Sequence, residues 1–195
     1  VIISSVVPPV RNAVRAAAQR LTGRPPIVLG PGVKTGLNIV IDNPGQLGCD
    51  LVANAVAALK EYPMPCIIFD MGTATTISAL GKQGQYLGGC IIPGVKVSLE
   101  ALSAQAAQLP GISLEEPKNI IGKNTIECMR SGIINGNAAM VDGMIERMEE
   151  ELGGKATVLA TGGIAQCIVP HCKREVIYDE NLLLKGLAYI YHKNA

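Results

Sequence analysis

The chain has 195 residues, 17 Lys and Arg against 16 Asp and Glu, and a formal net charge of +1. That length suits one domain or two small lobes, and the lack of a Lys/Arg block argues against a nucleic-acid surface. No apolar run reaches the length of a membrane span, and no charged-then-apolar leader opens the sequence.

Val1 to Val7 (VIISSVV) reads as a buried strand already under way at the first residue, so the native chain is expected to begin earlier. Pro8 and Pro9 end it, because proline cannot donate to a sheet ladder. Asn12 to Leu21 is predicted as a helix with Val14, Ala17, Ala18 and Leu21 on one face. Ile27 to Leu29 and Leu37 to Ile41 are short strands, the second followed by the turn Asp42-Asn43-Pro44-Gly45. Asp50 to Leu59 is a helix, with Leu51, Ala55 and Leu59 at fourfold spacing. Tyr62-Pro63-Met64-Pro65 breaks the chain, and the boundary between a first lobe (1–61) and a second (62–195) is placed there.

Cys66 to Leu80 and Gln85 to Ile92 follow as antiparallel strands joined by a turn at Gly81-Lys82-Gln83-Gly84. A helix then carries Val95, Leu99, Leu102, Ala106 and Leu109 in a stripe, and residues 111–122 form a loop. Asn124 to Leu152 is the longest helical pattern. Asn124 and Glu127 make a variant capping box, and Ile126, Met129, Ile133, Met140, Met144 and Met148 fall near one face. Gly132, Gly136 and Gly143 either weaken this helix or admit a close neighbour. Ala156 to Ala160 is a buried strand and Asn181 to Tyr191 the last helix. The fold class is therefore α/β. With 48% hydrophobic residues, no Trp and one Phe, the core must be built from Ala, Val, Ile, Leu and Met.

Six cysteines sit mostly in apolar contexts, where free Cys acts as a small hydrophobe. Cys167, His171 and Cys172 match no common zinc spacing, and reduced thiols in a cytoplasmic setting are the expectation.

Five stretches carry residues that packing alone does not demand. In DMGTATT, Gly72 lets a ligand approach the main chain, successive N–H groups can form an anion site, and Thr73, Thr75 and Thr76 add hydroxyls. Asp70 supplies a carboxylate at the strand end that can hold a cation. A glycine hairpin with strand-favouring threonines is the plainer reading. In GQLGCDL, Asp50 opens a helix as an N-cap or as a functional acid. GGCIIPG joins a strand to a helix between glycines. In GKNT, Thr125 stands at a helix N-terminus, an end that favours polar or anionic ligands. In ATGG, Gly162 and Gly163 form a strand-to-helix turn suited to a flat ligand.

In sequence order, SSVVPP, NPGQLGCD, DMGTATT, GGCIIPG, GKNT and ATGG resemble the type III pantothenate kinases, of the superfamily of acetate and sugar kinases, Hsp70 and actin. The resemblance covers essentially the whole chain. It implies two related actin-like (ribonuclease H-like) α/β lobes with ATP between them, the first incomplete at its N-terminus. It implies ATP-dependent phosphorylation of pantothenate to 4′-phosphopantothenate in the cytoplasm, by a homodimer that needs Mg²⁺ and a monovalent cation, K⁺ or NH₄⁺. Asp50 matches the family's catalytic base, and Gly48, Cys49, Asp50, Leu51 and Thr125 match pantothenate-binding positions. Gly72, Thr73, Gly162 and Gly163 match the ATP site, and Asp70 the acid that holds the monovalent cation.

Three departures stand out. The family's N-terminal D-x-G-N-T phosphate motif is not among these residues, and a chain without it is expected not to turn over ATP. The arginine expected after Asp50 is Leu51, and a tyrosine before the Asn-Pro turn is Ile41. Leucine can neither carry charge nor donate a side-chain hydrogen bond. The alternatives that follow are a catalytically impaired, nucleotide-binding regulatory relative, or a kinase for another small alcohol.

Overall fold

The computed structural model describes residues 1–5 and 7–195. The chain divides into two compact units, the first made of Val1–Cys66, Leu80–Gly88 and Asn181–Ala195, the second of Ile67–Ala79 and Gly89–Glu180. The last helix therefore groups with the N-terminal residues, whereas a division at residue 62 would leave it with the second lobe.

In the first unit, β1 (Ile2–Ile3) pairs in parallel with β2 (Ile27–Val28), in the register Ile2↔Ile27 and Ile3↔Val28. The strand expected over 1–7 is thus much shorter, and Val6 lies outside the described residues. The helix α1 (Pro8–Thr22) starts at the prolines themselves. Proline suits the first helical turn, where its missing N–H has no partner to lose. The stripe expected on α1 is not buried, since Val14 is 43% and Leu21 86% exposed. Residues 37–41 form no strand; Ile39 makes an isolated parallel bridge to Tyr86. After a 3-10 turn (Pro44–Gln46), α2 (Cys49–Glu61) buries Val52 to Ala58. Leu29, Val52, Ala53, Val56 and Ile190 form this unit's core.

The second unit is built on a five-stranded sheet. The chain runs through β3 (Cys66–Met71), β4 (Ala74–Leu80) and β5 (Tyr86–Pro93), then α3 (Val95–Gln105), α4 (Thr125–Leu152) and β6 (Thr157–Thr161). A short α5 (Ala165–Ile168), a 3-10 turn (Val169–His171) and β7 (Ile177–Tyr178) complete it before α6 (Leu182–Asn194) returns to the first unit. The strand order is β5-β4-β3-β6-β7. The links β3–β4 and β4–β5 are too short for a crossover, so these neighbours are antiparallel, while β6 and β7 are parallel with Leu159↔Ile177. The sheet is mixed. Residues 66–80, expected as one strand, are two, because Gly72 and Thr73 turn the chain.

On α4 the buried face is Ile134, Ala138, Val141 and Ile145, at spacings of four, three and four. Of the expected stripe, Met129 is itself buried, while Met140, Met144 and Met148 lie one residue to the side of this face, partly buried against the core. Ile126 is 43% exposed. A Cβ added at Gly132 or Gly136 would meet open space, so neither marks a close helix contact.

Glu149 is the charged anchor of this unit. It is 7% exposed and accepts from Arg174 Nη2 at 2.8 and 2.9 Å, from Lys155 Nζ at 3.0 Å and from the Ala156 N–H at 3.0 Å. Burial pushes its carboxyl up, but the Ala156 N–H, Arg174 and Lys155 outweigh that and hold it below the usual glutamate range.

Candidate functional site

Two groups of the expected residues are organised locally, one in each unit. In the first unit, Gly48 is the N-cap of α2 and Asp50 its second residue, so Asp50 is not the cap. The Leu51 N–H donates to Asp50 Oδ1 at 2.9 Å, folding the carboxylate back over the first turn. A Cβ on Gly48 would lie 2.5 Å from the same oxygen. This carboxylate position therefore depends on residue 48 having no side chain, and the helix N-terminus favours its negative charge. Cys49 is tied to the segment after β1, its Sγ accepting from the Ser4 hydroxyl at 3.1 Å. A cavity of about 310 Å³ opens beside this turn, lined by Gly30, Pro31, Thr35, Gly45, Leu47 and Cys49 among others. Ile41 packs against Gly88, whose Cβ would stand 3.8 Å from Ile41 Cγ2.

In the second unit the β3–β4 turn is the focus. Asp70 is half-buried near the end of β3, and Gly72, Thr73 and Ala74 are exposed. The Gly72 N–H donates to the Ala74 carbonyl at 3.1 Å. Gly72 is not among the residues with positive φ, and its Cβ would make only an ordinary 3.7 Å contact with Ala74 O. Neither backbone angle nor crowding thus demands glycine there.

Two other glycines carry that burden. Gly162, just past β6, has φ +91°, and its Cβ would come within 2.7 Å of the Met71 carbonyl oxygen. Gly94, the N-cap of α3, donates its N–H to the Thr73 carbonyl at 3.1 Å. A Cβ on Gly94 would collide with the carbonyl oxygens of both Gly72 and Thr73. Backbone therefore packs on backbone behind the turn, and its outer side is left to solvent. Gly163 is exposed with open space around it. Gly94 closes the GGCIIPG stretch, which the sequence marks as a strand-to-helix junction between glycines, but nothing in the sequence signals its contact with the β3–β4 turn.

Thr75 differs from Thr73. It is 1% exposed, shares the β4 face of Ile77, and its hydroxyl has no hydrogen-bond partner. It is a core residue.

Thr125 is the exposed first residue of α4. Asn124 is the cap, its Oδ1 accepting the Glu127 N–H at 3.0 Å. The Glu127 carboxylate accepts from the Lys118 N–H at 3.2 Å and pairs with Arg130. The Lys118 bond first, then Arg130, hold Glu127 below its usual range against the effect of burial. Ser131 Oγ donates to Ile120 O at 2.5 Å, so the 107–124 loop is strapped to the start of α4. The backbone packing that joins Gly72, Thr73, Gly94 and Gly162 does not include Thr125. A second cavity, about 770 Å³ between α3 and Gly111 to Leu114, is lined by none of the expected site residues.

Residues 1–147 match the family model described as type III pantothenate kinase. The chain is 43% identical over 195 residues to a type III pantothenate kinase of Syntrophus aciditrophicus, covering 100% of this chain and 77% of that protein. It is 48% identical over 194 residues to one from an Exiguobacterium species, covering 100% and 76%. Among solved structures, a conserved Baf family protein from Campylobacter jejuni superposes with a TM-score of 0.69 at 19% identity, over 99% of this chain and 82% of that one. The activator of 2-hydroxyisocaproyl-CoA dehydratase from Clostridium difficile, solved with ADPNP bound, gives a TM-score of 0.50 at 17% identity, over 92% and 79%.

Proposed function

The chain belongs to the type III pantothenate kinase family, and from that membership we propose that Asp50 is its catalytic base and the β3–β4 turn its nucleotide-phosphate site. The family transfers a phosphoryl group from ATP to pantothenate, giving 4′-phosphopantothenate at the first step of coenzyme A synthesis. The fold is that of the actin-like ATPases.

The observation that carries the reading is the Asp50 carboxylate, fixed over Gly48 by the Leu51 N–H. A general base has to be held within hydrogen-bond reach of the hydroxyl it deprotonates. Asp50 accepts the proton of the acceptor alcohol as its oxygen attacks the terminal phosphorus. Gly48, Cys49, Leu51 and Thr125 are the pantothenate-binding positions. Gly72, Thr73, Gly162 and Gly163 are those of ATP.

The exposed turn backed by backbone suits a phosphate chain, because amides and hydroxyls rather than bulky side chains face the ligand. Asp70 is the carboxylate for a monovalent cation, K⁺ or NH₄⁺. Among the described residues no group of three or more His, Cys, Asp or Glu side chains converges. Mg²⁺ is commonly held by one or two carboxylates together with substrate phosphates, and it supplies charge neutralisation on them. No described helix is long and apolar enough to cross a membrane; a cytoplasmic homodimer is the setting inferred from the family. The two lobes assigned to 1–61 and 62–195 belong to the same reading.

Leu51, where the family has arginine, supports a second reading, a kinase whose acceptor is a different small alcohol. The two readings are separated by assaying the full-length protein with pantothenate and with a panel of small alcohols. Asp50→Asn should abolish transfer yet keep ADPNP affinity, and Asp70→Asn should remove the response to K⁺. Transfer surviving in Asp50→Asn would remove Asp50 from the mechanism.

A further inference from the structure

The carbonyl oxygens of Gly72 and Thr73 both point at Gly94. The Gly94 N–H donates to Thr73 O at 3.1 Å, and a Cβ on Gly94 would strike both oxygens. In a trans peptide the C=O and the N–H of one plane point in opposite directions. The only cis bond among the described residues is Met64–Pro65. The Gly72 carbonyl shares its plane with the Thr73 N–H, and the Thr73 carbonyl shares its plane with the Ala74 N–H. Drawing both oxygens toward Gly94 therefore turns both N–H groups to the opposite, outer side of the turn, where residues 72–74 are exposed.

We propose that Gly94 is a positioning residue for nucleotide: its missing side chain seats the Gly72 and Thr73 carbonyls against the start of α3, which aims the Thr73 and Ala74 amides at a phosphate group. The inference rests on the reading of this turn as the nucleotide-phosphate site. Space, not backbone angle, enforces glycine here. Gly94 has φ −66° and ψ 157°, values open to any residue. Gly94→Ala thus changes one thing, the room for two carbonyl oxygens. The turn must rotate or withdraw to relieve the contact, and the two amides move with it.

The test has two arms, both on the full-length protein. In the first, isotope-labelled wild type is titrated with ADPNP and followed by amide NMR, with calorimetry alongside. The Thr73 and Ala74 amide signals should shift and saturate together with the heat of binding. ADPNP binding with those two signals unmoved would overturn the inference while leaving a nucleotide site elsewhere in place. No ADPNP binding at all would overturn the nucleotide reading itself, and the inference with it.

In the second arm, Gly94→Ala should bind ADPNP about tenfold more weakly for each misdirected charge-assisted bond. The KM for ATP should rise and that for pantothenate stay as in wild type. A purely structural role would move both or neither. Wild-type ADPNP affinity in a folded Gly94→Ala would refute the positioning role, and if that variant does not fold the wild-type titration decides alone.

Discussion

Gly162 and Gly163 are neighbours in one motif, and the structure separates them sharply. Gly162 sits at φ +91° with the Met71 carbonyl oxygen 2.7 Å from where a Cβ would be; Gly163 has nothing within 4 Å. A left-handed angle costs a non-glycine residue about 1–2 kcal/mol. Forcing a methyl group against the fixed backbone of β3 adds the penalty of overpacking, about 1–3 kcal/mol. Gly162→Ala is therefore expected to lose about 2–5 kcal/mol by these two terms. That corresponds to a fall in melting temperature of about 4–20 °C for a protein of this size. Gly163→Ala should stay within about 0.5 kcal/mol, as surface substitutions do. Parallel urea and thermal unfolding of the two variants is the assay. Equal stabilities would refute the claim that β6 ends hard against β3, and with it the backing of the β3–β4 turn.

Three further outcomes are expected. The folded Glu149 carboxyl lies below its ordinary range, so the stability it contributes is present above the unfolded value, about pH 4.3, and is lost as pH falls through the folded value. Glu149→Gln should flatten the pH dependence of the urea midpoint below pH 5, and an unchanged slope would contradict this. Thr75→Val removes a buried hydroxyl without a partner, and should stabilise by about 1 kcal/mol without altering ADPNP affinity; weakened binding would return Thr75 to the site. Burial pushes the Cys66 thiol up to about 12 and, with Asp142, Cys172 up to about 11, whereas Cys128 is exposed. Peptide mapping after brief alkylation at pH 8 should find Cys128 modified and Cys66 untouched until the protein unfolds.

Much of this architecture was legible because periodicity and punctuation agree. Residues 125–152 read as one helix from the apolar spacing and the Asn124 cap, and that cap is present. The 81–84 turn between strands also appears, with the Gly84 N–H bonded to Gly81 O at 2.9 Å. What failed did so for identifiable reasons. The apolar pattern of α1 predicts a buried face, but amphipathicity does not supply a partner. The strand over 37–41 lacked neighbours beyond Tyr86. The turn at Gly72–Thr73 was legible only as the alternative of a glycine hairpin, because the apolar run before it and the threonines after it also read as one continuous strand. β7, two residues long, is too short for periodicity to reveal.

The site was legible as motifs and not as geometry. No spacing rule says that Gly48 gives way to the Asp50 carboxylate, or that Gly94 collects the carbonyls of Gly72 and Thr73, which precede it by more than twenty positions. Those relations exist only once α2 has its first turn and once α3 starts beside the hairpin. The return of α6 to the first unit, where Lys185 and Tyr189 hold Glu61 at 2.8 and 2.9 Å, was equally invisible to local pattern.

The central claim is that Asp50 deprotonates pantothenate for phosphoryl transfer. The most direct measurement is ADP release, coupled to mass detection of 4′-phosphopantothenate, by the full-length protein with ATP, Mg²⁺, K⁺ and pantothenate, beside Asp50→Asn. The account predicts pantothenate-dependent turnover that falls by at least about a hundredfold in the variant, the scale of general-base catalysis, while ADPNP affinity is kept. A folded wild type that binds nucleotide but makes no 4′-phosphopantothenate, or an Asp50→Asn variant that makes it at the wild-type rate, would contradict it.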